Sequence, residues 1–328
     1  MDAAQPAEVR LKNGSVRVAW VAALSLVAAA PAAQPKLKVA LTFDDLPING
    51  PLVAGSTESD YVRDTVAVLK QHKIPPSYGF INAWKLEGNP DGARALRLWV
   101  AAGNPAGNHT YRHLNLTKNS VEDFAADVLR NEPALELLMP EGATSRWKWF
   151  RYPFLHEGDT LEKRRAVRMF LEGNGYRIAQ TTLDWEDYLW NSAHAACVTK
   201  KDQQSIAWLR QSYLDIAREY IRTQRELSRQ VFGRDINHVV LLHLGSFSSH
   251  ILPDLLKLFA DEDYQIVTLE EAQSDPVYET DPDVADGTGG TLTELMMLAK
   301  QIPWPKITDK PREKLETICT GFPEAAES

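Results

Sequence analysis

Short apolar runs alternate with longer amphipathic stretches from Lys36 to Leu269, and this alternation constrains the chain more than any other feature. Lys38–Phe43, Ser77–Asn82, Phe150–Pro153, Arg177–Thr182, His238–Leu242 and Tyr264–Leu269 read as strands. Between them lie helical segments. One spans about Asp60 to Gln71, with Val62, Val66 and Leu69 on one face and Thr57 and Asp60 spaced as a capping box. Others cover Ala93–Ala102, Ser120 to about Leu138, Thr160–Gly173, the long polar-faced Gln203–Phe232, and Ile251–Phe259 capped by Ser249. Strands alternating with helices make an α/β protein with a parallel sheet, open or closed into a barrel. At 328 residues the chain can bury a full core as one large domain or two small ones. No GxGxxG follows the first strand and no GxxxxGK[ST] occurs, which leaves nucleotide-phosphate binding without support.

The first residues differ in character. Arg10, Lys12 and Arg17 precede an apolar stretch from Val18 to Ala30, and Ala30-Pro31-Ala32 offers small residues at a cleavage site. Residues 1–32 therefore read as a secretory signal peptide, too short in its apolar part for a stable membrane anchor. The expected location is exported, periplasmic or secreted. Removing Asp2, Glu8, Arg10, Lys12 and Arg17 takes away a net +1, so the formal −8 of the whole chain becomes −9. With that balance and no basic run, nucleic acid is not an expected partner. In an oxidising compartment Cys197 and Cys319 can form one intramolecular disulfide; the alternative is two separate buried thiols. Residues 36–275 are expected to form the main domain, with Gln203–Phe232 as a helical insert. Residues 276–328 form a tail with two short helices, Thr291–Lys300 and about Pro311–Cys319.

Polar residues gather where the strands end, which in a parallel α/β barrel is where active sites sit. The first strand runs into Asp44-Asp45, adjacent carboxylates that need a cation or a divided role. His109 and His113 are four apart, a spacing that on a helical turn would place both imidazoles on one face. Two histidines and a carboxylate leave coordination positions open, as in a catalytic rather than a structural metal site. Arg151 could hold a carboxylate bidentately, and His243 at a strand end, partnered by a carboxylate such as Asp184, could act as a general acid.

Five motifs in order, TFDD (42–45), HTYRH (109–113), RYPF (151–154), LDW (183–185) and LLH (241–243), resemble the polysaccharide deacetylase family, the NodB-homology fold of carbohydrate esterase family 4. The resemblance spans roughly residues 36–275. It implies a distorted (β/α) barrel of fewer than eight strands, here about seven, all parallel. It implies Asp44 as the base that activates the attacking water, and Asp45, His109 and His113 as ligands of a divalent metal ion. Zinc is the foremost candidate, with cobalt, nickel and manganese as alternatives. Thr110 would steady the ligand loop and Arg151 would pair with Asp44. A backbone N–H near Tyr152–Phe154 would face the oxyanion, Trp185 and Leu241 would line the acetyl pocket, and Tyr152 and Phe154 would lie against substrate. His243 would protonate the leaving group and Asp184 would tune it. Three positions depart from the family pattern: Leu46-Pro47, Leu155 and Leu244 stand where glycine, glycine and aspartate are usual. They alter the groove walls rather than the chemistry.

The expected activity is removal of acetyl groups from N- or O-acetylated glycans, of peptidoglycan, chitin-like or xylan type. Trp147, Trp149 and Tyr152 could stack on sugar rings or belong to the core. Two alternatives are a hydrolase of a non-sugar amide or cyclic imide, and a catalytically silent glycan-binding protein. Export argues against the first, and the intact Asp44 and His243 argue against the second.

Overall fold

A computed structural model describes residues 36–139 and 147–319; segment 1–32, expected to be a signal peptide, lies outside the described residues. The strands are β1 Leu37–Leu46, β2 Tyr78–Ile81, β3 Ala106–Asn108, β4 Trp149–Phe150, β5 Arg177–Ile178, β6 His238–His243 and β7 Tyr264–Val267. All pair in parallel, in the order β5-β4-β3-β2-β1-β6, and β7 pairs with the start of β1. The segment after β5 curls the sheet back on itself. Ala179 N–H donates to Phe150 O at 2.7 Å on one side, and Leu241 N–H donates to Leu183 O at 2.9 Å on the other. This is the distorted barrel of seven parallel strands expected from the sequence. Of the expected Arg177–Thr182 strand only Arg177–Ile178 pairs as a strand, because the chain turns at Gln180, whose N–H donates to Ile178 O at 3.0 Å, before reaching β6.

Strand period two explains how this scaffold builds a site. Ala40, Tyr78, Phe80, Trp149, Ala179 and Val239 pack together as one buried cluster inside the curled sheet. Two residues further along the same strands come Thr42, Arg151 and Leu241, and then Asp44 and His243. Apolar side chains fill the base of the interior, and polar ones occupy the level where the strands end. Residues of the opposite parity face the covering helices: Val39, Leu41, Phe43, Phe150, Tyr152, Val240 and Leu242 join the main core instead. Every residue of β1 from Val39 to Leu46 is buried, as a strand covered on both faces requires.

The helices start where their caps place them. Thr57 and Asp60 form the capping box of Glu58–Gln71, Ser120 caps Val121–Leu138, and Thr291 with Glu294 caps Leu292–Lys300. The helix after β6 starts earlier than the sequence reading places it, at Ser246 behind Gly245; Ser249 lies inside its first turn. Gln203–Phe232 is one continuous helix opened by Asp202 and closed by Gly233 at φ 76°. Its buried Leu209, Tyr213, Ala217 and Ile221 pack into the main core, so it is a structural support of the barrel. Leu189–Thr199 is a further helix that lacks a clear apolar stripe in sequence, because its buried residues, Trp190, Asn191, Ala193, His194, Ala195 and Cys197, include polar ones. Cys197 on that helix is bonded to Cys319, with Cα atoms 5.0 Å apart, tying the end of the tail to the body. Among the described residues no helix is long and apolar enough to cross a membrane.

Candidate active site

The end of β1 departs from strand geometry, and that departure creates the site. In a regular strand Asp44 and Asp45 would point to opposite faces. Pairing to β2 shifts register between Phe43 and Leu46, and Asp45 takes a left-handed φ of 64°. Both carboxylates therefore reach the same cavity. Lys85, from the turn of helix after β2, holds the bend by donating to Asp45 O at 2.7 Å and Ile48 O at 3.1 Å. Asn49 Nδ2 donates to Asp45 Oδ2 at 2.9 Å.

His109 and His113 arrive on a loop rather than on the helical turn suggested by their spacing. Thr110 and His113 both have left-handed φ values, 61° and 58°. Three buried amides hold this loop. Asn82 donates to His109 O and Thr110 O, Asn131 donates to Asn108 Oδ1, and Asn108 Oδ1 accepts from Thr110 N–H. Thr110 Oγ1 accepts from Leu114 N–H at 3.1 Å. His109 Nδ1 lies 2.8 Å from Arg151 O, a contact only a protonated Nδ1 can make, so its Nε2 carries the free lone pair. That Nε2 is 3.8 Å, and His113 Nε2 3.3 Å, from Asp45 Oδ1.

Asp45 Oδ1 is buried without a hydrogen-bond donor. An unpartnered carboxylate oxygen facing two imidazole Nε2 atoms fits a cation held by all three, and their ligand atoms lie within 4.8 Å of one another. Electrostatics agree. Burial pushes both imidazoles down to about 4, so they are neutral near pH 7 as ligands must be. Burial alone would raise Asp45, but Lys85, His113 and His109 hold it well below the usual carboxylate range.

Asp44 sits beside this cluster, 2 % exposed, with its carboxylate 3.2 and 3.3 Å from Arg151 Nη1. Arg151 is fixed by donating from Nε to Ala179 O and from Nη2 to Thr42 Oγ1. Burial raises the Asp44 carboxyl, and Arg151 opposes it. Across the cavity, His243 Nδ1 is 2.7 Å from Asp187 Oδ1, and the His243 N–H donates to Asp187 Oδ2 at 2.9 Å. Burial would depress His243, but Asp187 overrides it and pushes the imidazole up to about 9.

With this geometry in view, the comparison with known proteins is direct: residues 32–170 match the polysaccharide deacetylase family. This stretch of the chain is similar to that family.

Its similarity to curated relatives is partial. The chain is 27 % identical over 164 residues to the peptidoglycan-N-acetylglucosamine deacetylase of Bacillus cereus, covering 50 % of each chain. It is 26 % identical over 203 residues to that of Listeria monocytogenes, covering 61 % of this chain and 37 % of the relative. It is 24 % identical over 150 residues to the chitin deacetylase of Arthroderma benhamiae, covering 46 % and 35 %. The chain thus spans half or less of the length of these relatives. Among solved structures, the chitin deacetylase of Colletotrichum lindemuthianum aligns with a TM-score of 0.48 at 24 % identity, over 72 % of this chain and 86 % of that one.

The cavity is about 370 Å³ and is lined by Asp44, Asp45, His109, His113, Phe154, Asp184, Leu241 and His243, among others. Three sequence assignments change. Asp184 makes no hydrogen bond to His243; it accepts from Glu186 N–H at 2.8 Å, and burial raises its carboxyl to about 6. Asp187 is the partner instead, because Glu186 adopts a left-handed φ of 59° and the turn presents the later carboxylate. Tyr152 does not face the cavity: strand parity turns it outward onto Phe124 and Phe150. Trp185 is likewise buried against Tyr213, and Trp147 and Trp149 are core residues. Phe154 does reach the cavity, with its ring 4.3 Å from His113. Lys85, Asn49 and Asp187 escaped the sequence reading. Only Asp187 had a signal there, as a second acid three residues after Asp184.

Proposed function

We propose that this chain is a metal-dependent hydrolase that removes acetyl groups from N- or O-acetylated glycans, working outside the cytoplasm. One observation carries the reading: Asp45 Oδ1 lacks a protein donor and faces two imidazole Nε2 atoms, while a carboxylate–arginine pair and a histidine–carboxylate pair flank the same cavity. Asp45, His109 and His113 would hold a divalent ion, zinc or another first-row metal by the chemistry of the donor set. When bound, that ion supplies Lewis acidity, making water nucleophilic near neutral pH and drawing charge from an acetyl carbonyl.

The chain's own groups do the rest. Asp44, oriented by Arg151, takes the proton from the attacking water as its oxygen bonds to the acetyl carbon. The backbone N–H of Tyr152 has no partner among the described residues and supports the role of an oxyanion donor. His243, kept protonated by Asp187, delivers a proton to the departing nitrogen or oxygen as the acyl bond breaks. Acetate and a free amine or hydroxyl leave. The Cys197–Cys319 bond supports an oxidising compartment and hence the export reading.

The test is a panel of N-acetylated and O-acetylated oligosaccharides incubated with purified protein, with acetate assayed and products weighed by mass spectrometry. Stoichiometric acetate and deacetylated product are expected from at least one member. Folded protein that binds glycan without releasing acetate would replace this reading with that of a silent binder.

A further inference from the structure

The family match ends at residue 170, yet one wall of the cavity comes from the far C-terminal segment. Thr288 lines the cavity beside Phe154 and His156. The loop carrying it is fastened to the loop after β4. Asp286 pairs with Gly158 in an antiparallel bridge, its N–H donating to Gly158 O at 3.2 Å. Gly289, at φ 76°, packs so closely that a Cβ there would lie 2.3 Å from Phe154 O and 2.5 Å from His156 Cδ2. Upstream, Asp281 is 2.6 Å from the fully buried Arg164 and 3.2 Å from Arg168, and Asp283 is 2.5 Å from Arg165.

The same segment returns to another part of the cavity's lining. Lys310 Nζ lies 2.7 Å from Glu186 Oε2, and Arg312 pairs with the same carboxylate. Glu186 lines the cavity together with Tyr188, whose ring is 5.2 Å from that of His243. Cys319, bonded to Cys197, anchors the strap beyond this point.

A sugar inside a polymer carries chain on both sides and needs a groove open at both ends. The C-terminal segment meets the lining of the cavity at two places, Phe154–His156–Thr288 and Glu186–Tyr188. We propose that residues 281–319 are a specificity element that closes the site and selects short acetylated oligosaccharides or chain ends over polymer interiors. This rests on the deacetylase reading above.

The experiment compares kcat/KM for acetate release from an acetylated disaccharide and from a soluble acetylated polymer of the same linkage. It uses wild type, Gly289→Ala, which forces the loop off Phe154, and Glu186→Gln, which frees the Lys310–Arg312 strap. Thermal unfolding verifies that each variant is folded, and Glu186→Gln carries the test if Gly289→Ala is not. Wild type is expected to favour the disaccharide, per acetyl group, by on the order of tenfold, and each folded variant to lose most of that preference. Equal wild-type efficiency on both substrates, or variants that slow both equally, would overturn the inference while leaving the deacetylase reading in place. Acetate from neither substrate would overturn the deacetylase reading and this inference with it.

Discussion

Asp44→Asn is expected to lower acetate release by about 10³-fold, within the range attributed to a positioned general base. Asparagine nearly matches the shape of aspartate and keeps an amide oxygen for Arg151 Nη1, now 3.2 Å from the carboxylate. It cannot accept the proton of the attacking water. Arg151 retains its bonds to Ala179 O and Thr42 Oγ1, so the guanidinium stays in place. The variant leaves that buried cation without its counter-charge, and a loss of stability of up to about 3–5 kcal/mol accompanies the change, the cost of breaking a buried pair. Circular dichroism and thermal unfolding at the assay temperature separate the two effects. A folded Asp44→Asn protein with activity within tenfold of wild type would remove Asp44 from the base role.

Asp187→Asn is expected to move the basic limb of the pH–rate profile. In the native protein His243 is raised from its ordinary 6.5 to about 9, against burial, by Asp187. A raised value means that the folded state holds the proton more tightly than the unfolded chain. The stabilising contribution is therefore complete below about pH 6.5 and is lost as pH climbs through about 9. Activity that needs protonated His243 follows the same upper limit. Without the Asp187 carboxylate the largest upward contribution is gone and only Asp45 and Asp44 oppose burial, so the imidazole falls from about 9. The basic limb should then move to lower pH, and kcat/KM near pH 8.5 should drop by on the order of tenfold or more. Asp184→Asn serves as the control, since Asp184 makes no hydrogen bond to His243 and bonds the Glu186 N–H. A limb that moves with Asp184 but not with Asp187 would reverse the pairing described here.

The strands and the residues that end them were legible because period and chemistry coincide there. Ala40, Thr42 and Asp44 share one face of β1, and Val239, Leu241 and His243 share one face of β6; the two strands pair in register along that length. Placement beyond the strand ends was less legible. The turn after Leu183 decides which of Asp184 and Asp187 meets His243, and it does so through the left-handed Glu186, a conformation no propensity forecasts for glutamate. The His109–His113 spacing suggested a helix, whereas buried Asn82, Asn108 and Asn131 shape a loop that brings both Nε2 atoms toward Asp45. Tyr152 and Trp185 looked like groove aromatics because their neighbours carry chemistry. Parity buries the first against Phe124, and the second packs on Tyr213. Lys85 reaches the Asp45 backbone from a short turn and Thr288 reaches the cavity from a tail loop, where sequence period carries no information about direction.

Asp45, His109 and His113 are proposed to hold a divalent ion on which deacetylation depends. Acetate release by purified protein, measured before chelation, after chelation and dialysis, and during back-titration with zinc, tests this, with bound metal counted by elemental analysis. Turnover should be lost on chelation and recover to saturation at a single ion per chain, with neither metal nor recovery in His113→Ala. Full turnover by metal-free protein would contradict it.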